Sequence, residues 1–179
     1  RAAPRSPETD EDAGAAVPRQ SGPQPRGNQA LQSRSEGLQK ALKVAEAAMD
    51  KNGLEPVLLN LVDQNSYTDY LLVVSARSDR QVRAIIDNVV EVMAEEGARP
   101  LGVEGRREGR WGLIDFGDVV VHVFQHELRG HYNLESLWID APRVPLKIPE
   151  SLREAHRTSD DLGERLSEQE AELGYSLRD

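Results

Sequence analysis

Tyr70-Leu71-Leu72-Val73-Val74-Ser75-Ala76-Arg77-Ser78-Asp79-Arg80-Gln81-Val82-Arg83-Ala84-Ile85-Ile86-Asp87-Asn88-Val89-Val90-Glu91-Val92-Met93 changes its hydrophobic period halfway along. Tyr70 to Ser75 is a nearly continuous apolar run, short enough for a buried strand. Ser78-Asp79-Arg80-Gln81 is a capping box, in which the serine hydroxyl accepts from the third helical N–H. Beyond it Val82, Ile85, Ile86, Val89, Val90 and Met93 recur at spacings of three and four, one stripe of a helix that Gly97 ends. A buried strand running into a capped amphipathic helix opens an α/β unit.

The pattern continues on both sides. Upstream, Leu38, Ala41, Leu42, Ala45, Ala48 and Met49 predict an amphipathic helix over residues 37–52, ended by Asn52-Gly53 and kept from resuming by Pro56. Val57 to Val62 then reads as a short strand, and the polar stretch Asp63 to Asp69 as a loop. Downstream, residues 98–103 suggest a short strand, Glu104 to Arg110 a charged loop whose glycines 102, 105, 109 and 112 look like turn glycines, and Trp111–Asp115 and Asp118–Phe124 two strands around Phe116-Gly117. A last helical stretch spans roughly His126 to Trp138. Together these give an α/β single domain, a mixed sheet flanked by helices, over residues 34–143. Residues 1–33 hold half of the ten prolines and no long apolar run, so they are expected to be a disordered extension. Residues 144–179 form an acidic tail whose Leu162, Leu166 and Leu173 make a stripe too narrow for more than a marginal helix.

Charge and composition exclude several functions. The formal net charge is −9, and residues 34–146 alone carry 18 acidic against 13 basic groups. Such a domain is a poor ligand for nucleic acid through a basic face, so DNA binding is not expected and a basic protein partner suits it better. With no cysteine there is no disulfide, no thiolate metal site and no cysteine nucleophile. No stretch approaches the roughly 18 apolar residues of a membrane span, and a cytoplasmic location is expected. An organellar origin stays open, although Glu8, Asp10, Glu11 and Asp12 are atypical of a transit segment.

Catalytic constellations are weak. His126 and His131 stand five apart, not the four that would put two metal ligands on one helix face, so no metal site is expected. The glycines match neither phosphate-loop pattern, and Ser75 and Ser78 lack a nucleophile elbow. Asp69, Asp115 and Asp118 fall at strand ends, where a nucleotidyltransferase would hold magnesium, and they constitute the enzyme alternative. If Phe116-Gly117 is a tight turn, Asp115 and Asp118 oppose each other, and the repulsion is tolerable either in water or beside a partner's Lys or Arg. Trp111, Leu113 and Asp115 share one strand face, while Gly112, Ile114 and Phe116 take the other. Trp111 is then either a core residue or an exposed anchor of the kind that dominates binding energy.

Tyr67-Thr68-Asp69-Tyr70, Ser78 to Ala84, Gly102-Val103-Glu104-Gly105, Gly109-Arg110-Trp111, Asp115 to Phe124 and Tyr132-Asn133-Leu134-Glu135-Ser136-Leu137-Trp138 together resemble, in order and spacing, the ribosomal silencing factor family, also called Iojap-like. The resemblance covers roughly residues 36–141. It implies a nucleotidyltransferase-like fold without catalysis and without a cofactor. The implied partner is the large ribosomal subunit, reached through its protein L14 (uL14), and occupying that site blocks small-subunit joining and represses translation. It further implies partner contacts at Trp111, Leu113, Asp115 and Asp118, with Tyr70, Arg129 and Tyr132 as further candidates, and L14 would supply the cation for the aspartates. Self-pairing of the Trp111 face as a homodimer is a third alternative.

Overall fold

The computed structural model describes residues 26–155. Two long helices, α1 (Arg26–Met49) and α2 (Asp79–Glu95), accompany six strands: β1 (Leu54–Asn60), β2 (Tyr70–Ala76), β3 (Gly102–Glu104), β4 (Trp111–Asp115), β5 (Val119–Gln125) and β6 (Arg143–Val144). The sheet order is β3-β4-β5-β2-β1-β6. Only β2 and β5 run parallel; every other neighbouring pair is antiparallel. The expected mixed sheet with flanking helices is the fold observed.

β2 and β5 occupy the centre because both of their faces are apolar: all seven residues of β2 are buried, as are six of the seven of β5. Parallel neighbours need a crossover, which α2 provides. Its capping box forms as read, with the Gln81 backbone N–H donating to Ser78 Oγ at 3.1 Å. The Gln81 side chain reaches one residue further back than the motif requires, accepting from the Arg77 N–H, and its amide donates to the Lys51 and Asn52 carbonyls. It thereby ties the end of α1 to the start of α2. Val82, Ile85, Ile86, Val89 and Met93 of α2 are buried against one face of the sheet together with Ala41, Val44, Ala45 and Ala48 of α1. At about 2 kcal/mol for each large side chain removed from water, this layer is the main stabilising body of the fold. Gly112 is not a turn residue: it lies within β4 beneath α2, where a Cβ would stand 2.3 Å from Ile86 Cδ1.

Several elements differ from expectation: β1 begins three residues early at Leu54 and ends at Asn60, β3 is confined to Gly102–Glu104, and β6 was not expected. α1 starts at Arg26, inside the stretch expected to be disordered; residues 27–36 are exposed, so the extra turns propagate from the buried half of the helix. The last helical stretch is broken at Asn133, whose left-handed φ of 43° separates α3 (His126–Tyr132) from a 3-10 helix (Leu134–Trp138). Residues 150–155 are helical, and Leu152 is buried beside Met49 and Leu54, so the domain continues past residue 143. The disorder expected of residues 1–25 and the marginal helix expected around Leu162, Leu166 and Leu173 lie outside the described residues. Among the described residues no helix is long and apolar enough to cross a membrane.

Arg129 joins the elements of the other face. Its Nη1 donates to the Glu55 carbonyl at 2.7 Å and to Ser75 Oγ at 2.9 Å, and its Nε and Nη2 hold Glu135. Glu55 has a left-handed φ of 48° at the bulge in β1, so the guanidinium fixes a strained turn of chain. Replacing Arg129 with Met is expected to cost about 3 kcal/mol, because Glu135 and Ser75 lose their partner inside the fold. Urea denaturation measures it, and a loss below about 0.5 kcal/mol would refute this bracing role.

Candidate functional site

The two faces of the sheet are covered unequally. α1 and α2 cover one, whereas among the described residues the other has only α3, the 3-10 helix and Ala141 over Leu59, Leu61, Leu71, Val73, Val120 and Phe124. These covers are too short to reach across β4. Trp111 and Leu113 therefore stay half-buried at the rim, and Asp115 follows them on the same face. The alternation read from the sequence is the one observed, since Gly112 and Ile114 are buried on the helix side.

Trp111 is neither a core residue nor a free anchor. Its ring stacks on Phe124 at a centroid distance of 5.0 Å and meets Tyr132 at 4.5 Å. Its indole N–H donates to His122 Nδ1 at 3.0 Å. The register allows this: β4 pairs antiparallel with β5, so Trp111 faces Phe124 and Leu113 faces His122. Accepting at Nδ1 leaves the neutral imidazole with its proton on Nε2, and that atom is buried without a partner among the described residues. Burial pushes the His122 pKa down from 6.5 to about 4, so the ring is neutral at physiological pH and can accept from the indole. The result is an aromatic plate, Trp111, Phe124, His122 and Tyr132, with Tyr132 exposed at its edge. Side chains fixed by stacking and a hydrogen bond lose little freedom when a partner covers them. Among the described residues, Leu137 and Ile139 are also largely exposed, in the segment that packs Leu134 and Trp138 against this face.

The aspartates are arranged differently from expectation. The tight turn centres on Gly117-Asp118, with the Phe116 N–H donating to the Val119 carbonyl at 2.9 Å and Gly117 at a φ of 87°. Asp115 consequently pairs with Val120 in the sheet rather than opposing Asp118. Asp115 Oδ1 accepts from the Gly117 N–H at 2.7 Å, and Asp118 takes an ion pair from Lys40 of α1, whose ammonium also lies over the Phe116 ring. The cation expected from a partner is thus supplied from within the chain. Asp69 is exposed, and its backbone N–H binds the Asp118 carbonyl. Among the described residues no three His, Asp or Glu side chains gather to hold a metal ion.

Of the seven candidate contacts, the structure brings Trp111, Leu113, Asp115 and Tyr132 to one surface. The other three have different places. Tyr70 is buried on the helix-covered face against Gly37 of α1. Asp118 is turned toward α1, and Arg129 is buried in the brace between β1, β2 and the 3-10 helix. The residue that sequence reading undervalued is His122. Its position two residues before Phe124 on β5 puts it on the Trp111 face, but only the cross-strand register reveals the contact.

Comparison with known proteins agrees with this architecture. The family model described as ribosomal silencing factor during starvation matches residues 34–171. Ribosomal silencing factor RsfS of Bacillus subtilis is 43% identical over 106 residues, 59% of this chain and 90% of the relative. A crystal structure from Bacillus halodurans superposes with a TM-score of 0.54 at 40% identity, covering 63% of this chain and 99% of that one. A more distant mouse relative, named mitochondrial assembly of ribosomal large subunit protein 1, is 29% identical over 91 residues, 49% of this chain and 40% of its own. The match extends well past the 36–141 core that carried the resemblance, and with most of the chain inside the family model, this protein belongs to the ribosomal silencing factor family.

Proposed function

We propose that this chain docks through its Trp111 face on protein L14 of the large ribosomal subunit and, by its bulk, keeps the small subunit from joining, which represses translation. The observation that carries the reading is the aromatic plate: a tryptophan held half-exposed by His122, on the one sheet face that the long helices leave uncovered. Large amphipathic rings with little freedom left to lose are the side chains that dominate protein interfaces. Leu113 and Tyr132 extend the apolar contact, and Asp115 at its margin offers a carboxylate to a basic ribosomal protein. The names of the bacterial and mouse relatives supply the ribosomal context. No chemistry is required of the site, so the protein acts as a steric block, in the cytoplasm if the cell is bacterial, and needs no cofactor.

Two outcomes are expected. Trp111→Ala weakens binding to purified large subunits roughly 30-fold to 1,000-fold, the range of a hot-spot aromatic, while the melting transition persists. Co-sedimentation through sucrose measures the loss, and a folded variant that still sediments with large subunits at wild-type affinity would defeat the proposal. The second concerns His122. Between pH 6.5 and about 4 the unfolded chain binds a proton that the folded chain refuses, so the stability owed to the neutral ring is complete above pH 6.5 and is lost as pH falls toward 4. The loss amounts to about 3 kcal/mol. An NMR titration is expected to find the His122 midpoint near 4; a midpoint near 6.5 would mean that the ring is not locked beneath Trp111.

A further inference from the structure

Electropositive ground borders this site in a chain whose formal charge is −9. Residues 77–83, around the start of α2, and the loop 104–110 hold six arginines against Asp79, Glu104 and Glu108. The two segments are pressed together. Gly109 sits so close to Asp79 that a Cβ on it would stand 2.8 Å from the Asp79 carbonyl oxygen, and Arg83 Nη2 donates to the Arg107 carbonyl at 3.3 Å. The loop is also held from behind, because Gln125 donates its backbone N–H to the Arg110 carbonyl and its amide to the Gly109 carbonyl.

The arginines divide into two groups. Arg106 grips Asp87 with two bonds, Arg83 pairs with Asp79, and Arg77 donates to the Ala155 carbonyl, so these guanidinium groups serve the fold. Arg80, Arg107 and Arg110 are exposed, and their guanidinium groups meet no acceptor among the described residues. Two of them flank the contact between Gly109 and Asp79 as chain neighbours, and Arg110 directly precedes Trp111. Three cations without an acceptor among the described residues, Arg107 and Arg110 on the braced loop and Arg80 on the first turn of α2, cost self-repulsion in an otherwise acidic chain that an anionic neighbour removes.

We infer that Arg80, Arg107 and Arg110 form a second contact surface that binds the phosphate backbone of ribosomal RNA beside the protein docked on Trp111. The inference rests on the ribosomal docking proposed above. The three residues lie on two segments, the first turn of α2 and the loop before β4, an arrangement that suits a line of regularly spaced, singly charged acceptors. Arginine forks bind phosphate oxygens well, and such contacts fix orientation without reading sequence. The aromatic plate would choose the partner, and the arginine rim would set the angle at which this chain projects from it.

The test compares wild type with the triple variant Arg80→Gln, Arg107→Gln, Arg110→Gln on two probes: purified large subunits over a range of potassium chloride concentrations, and isolated L14. The exposed positions let the variant fold, which thermal melting checks. The expected result is wild-type affinity for L14, large-subunit affinity reduced roughly 10-fold or more near 0.1 M salt, and a plot of log affinity against log salt shallower by about 2, the release expected for three phosphate contacts. Equal affinity and slope for subunits would overturn the inference. Equal weakening on both probes would also overturn it, since the arginines would then touch protein. Salt-sensitive, arginine-dependent subunit binding by a chain that ignores L14 would sink the L14 reading while upholding the RNA contact. A wild type that binds neither probe would remove both.

Discussion

Parallel pairing of β2 with β5 is the constraint from which the remaining arrangement follows. Seven consecutive partners, from Tyr70 with Val119 to Ala76 with Gln125, bring together two apolar strands that lie far apart in sequence. That pairing requires a crossover and obliges both faces of the central strands to be covered. α2 and α1 cover one face with a continuous apolar layer. The chain between α2 and β5 is then placed as the antiparallel extension β3-β4, and β1-β6 extends the sheet from the other side of β2. Among the described residues after β5 only short elements cover the second face, and they leave its β4 margin open. The open margin is therefore a product of connectivity as much as of surface composition.

On that margin the fold has set its aromatic groups firmly. A half-exposed tryptophan risks promiscuous contact, and the stacking on Phe124 and the bond to His122 restrict Trp111 to one orientation. The arrangement leaves a buried imidazole N–H without a partner among the described residues, a cost of about 1 to 3 kcal/mol that the folded core must offset. Paying it makes sense at a surface whose geometry matters to a partner. The same economy is visible nearby, where Lys40 neutralises Asp118 and the Gly117 N–H satisfies Asp115, so the turn below the plate is stable without any partner.

Much of this was legible in the sequence because local signals agreed with the tertiary arrangement. The capped helix at Ser78, the strand from Tyr70 and the alternation from Trp111 to Phe116 appear where periodicity placed them. The short elements were harder. β6 has two residues and no pattern of its own, and the helical stretch after His126 broke because Asn133 adopted a left-handed conformation that propensity does not require. The site was only half legible. Strand parity put Trp111, Leu113 and Asp115 together, but cross-strand register, which joins His122 to Trp111 and sends Asp118 toward Lys40, depends on which residues occupy the turn. Moving the turn by one residue from Phe116-Gly117 to Gly117-Asp118 separated the two aspartates. Arg129 entered as a candidate only through the family resemblance, and the packing of β1, β2 and the 3-10 helix around it shows that its donors are used within the fold.

Docking on the ribosome through this face depends on what covers Trp111 and Leu113. A photoreactive side chain placed at Leu113, irradiated with purified large subunits and followed by identification of the joined protein, reads that neighbour directly. The expected product is a crosslink to L14 that excess unlabelled protein competes away. Specific crosslinks to a different ribosomal protein, or to a second copy of this chain, would contradict docking on L14.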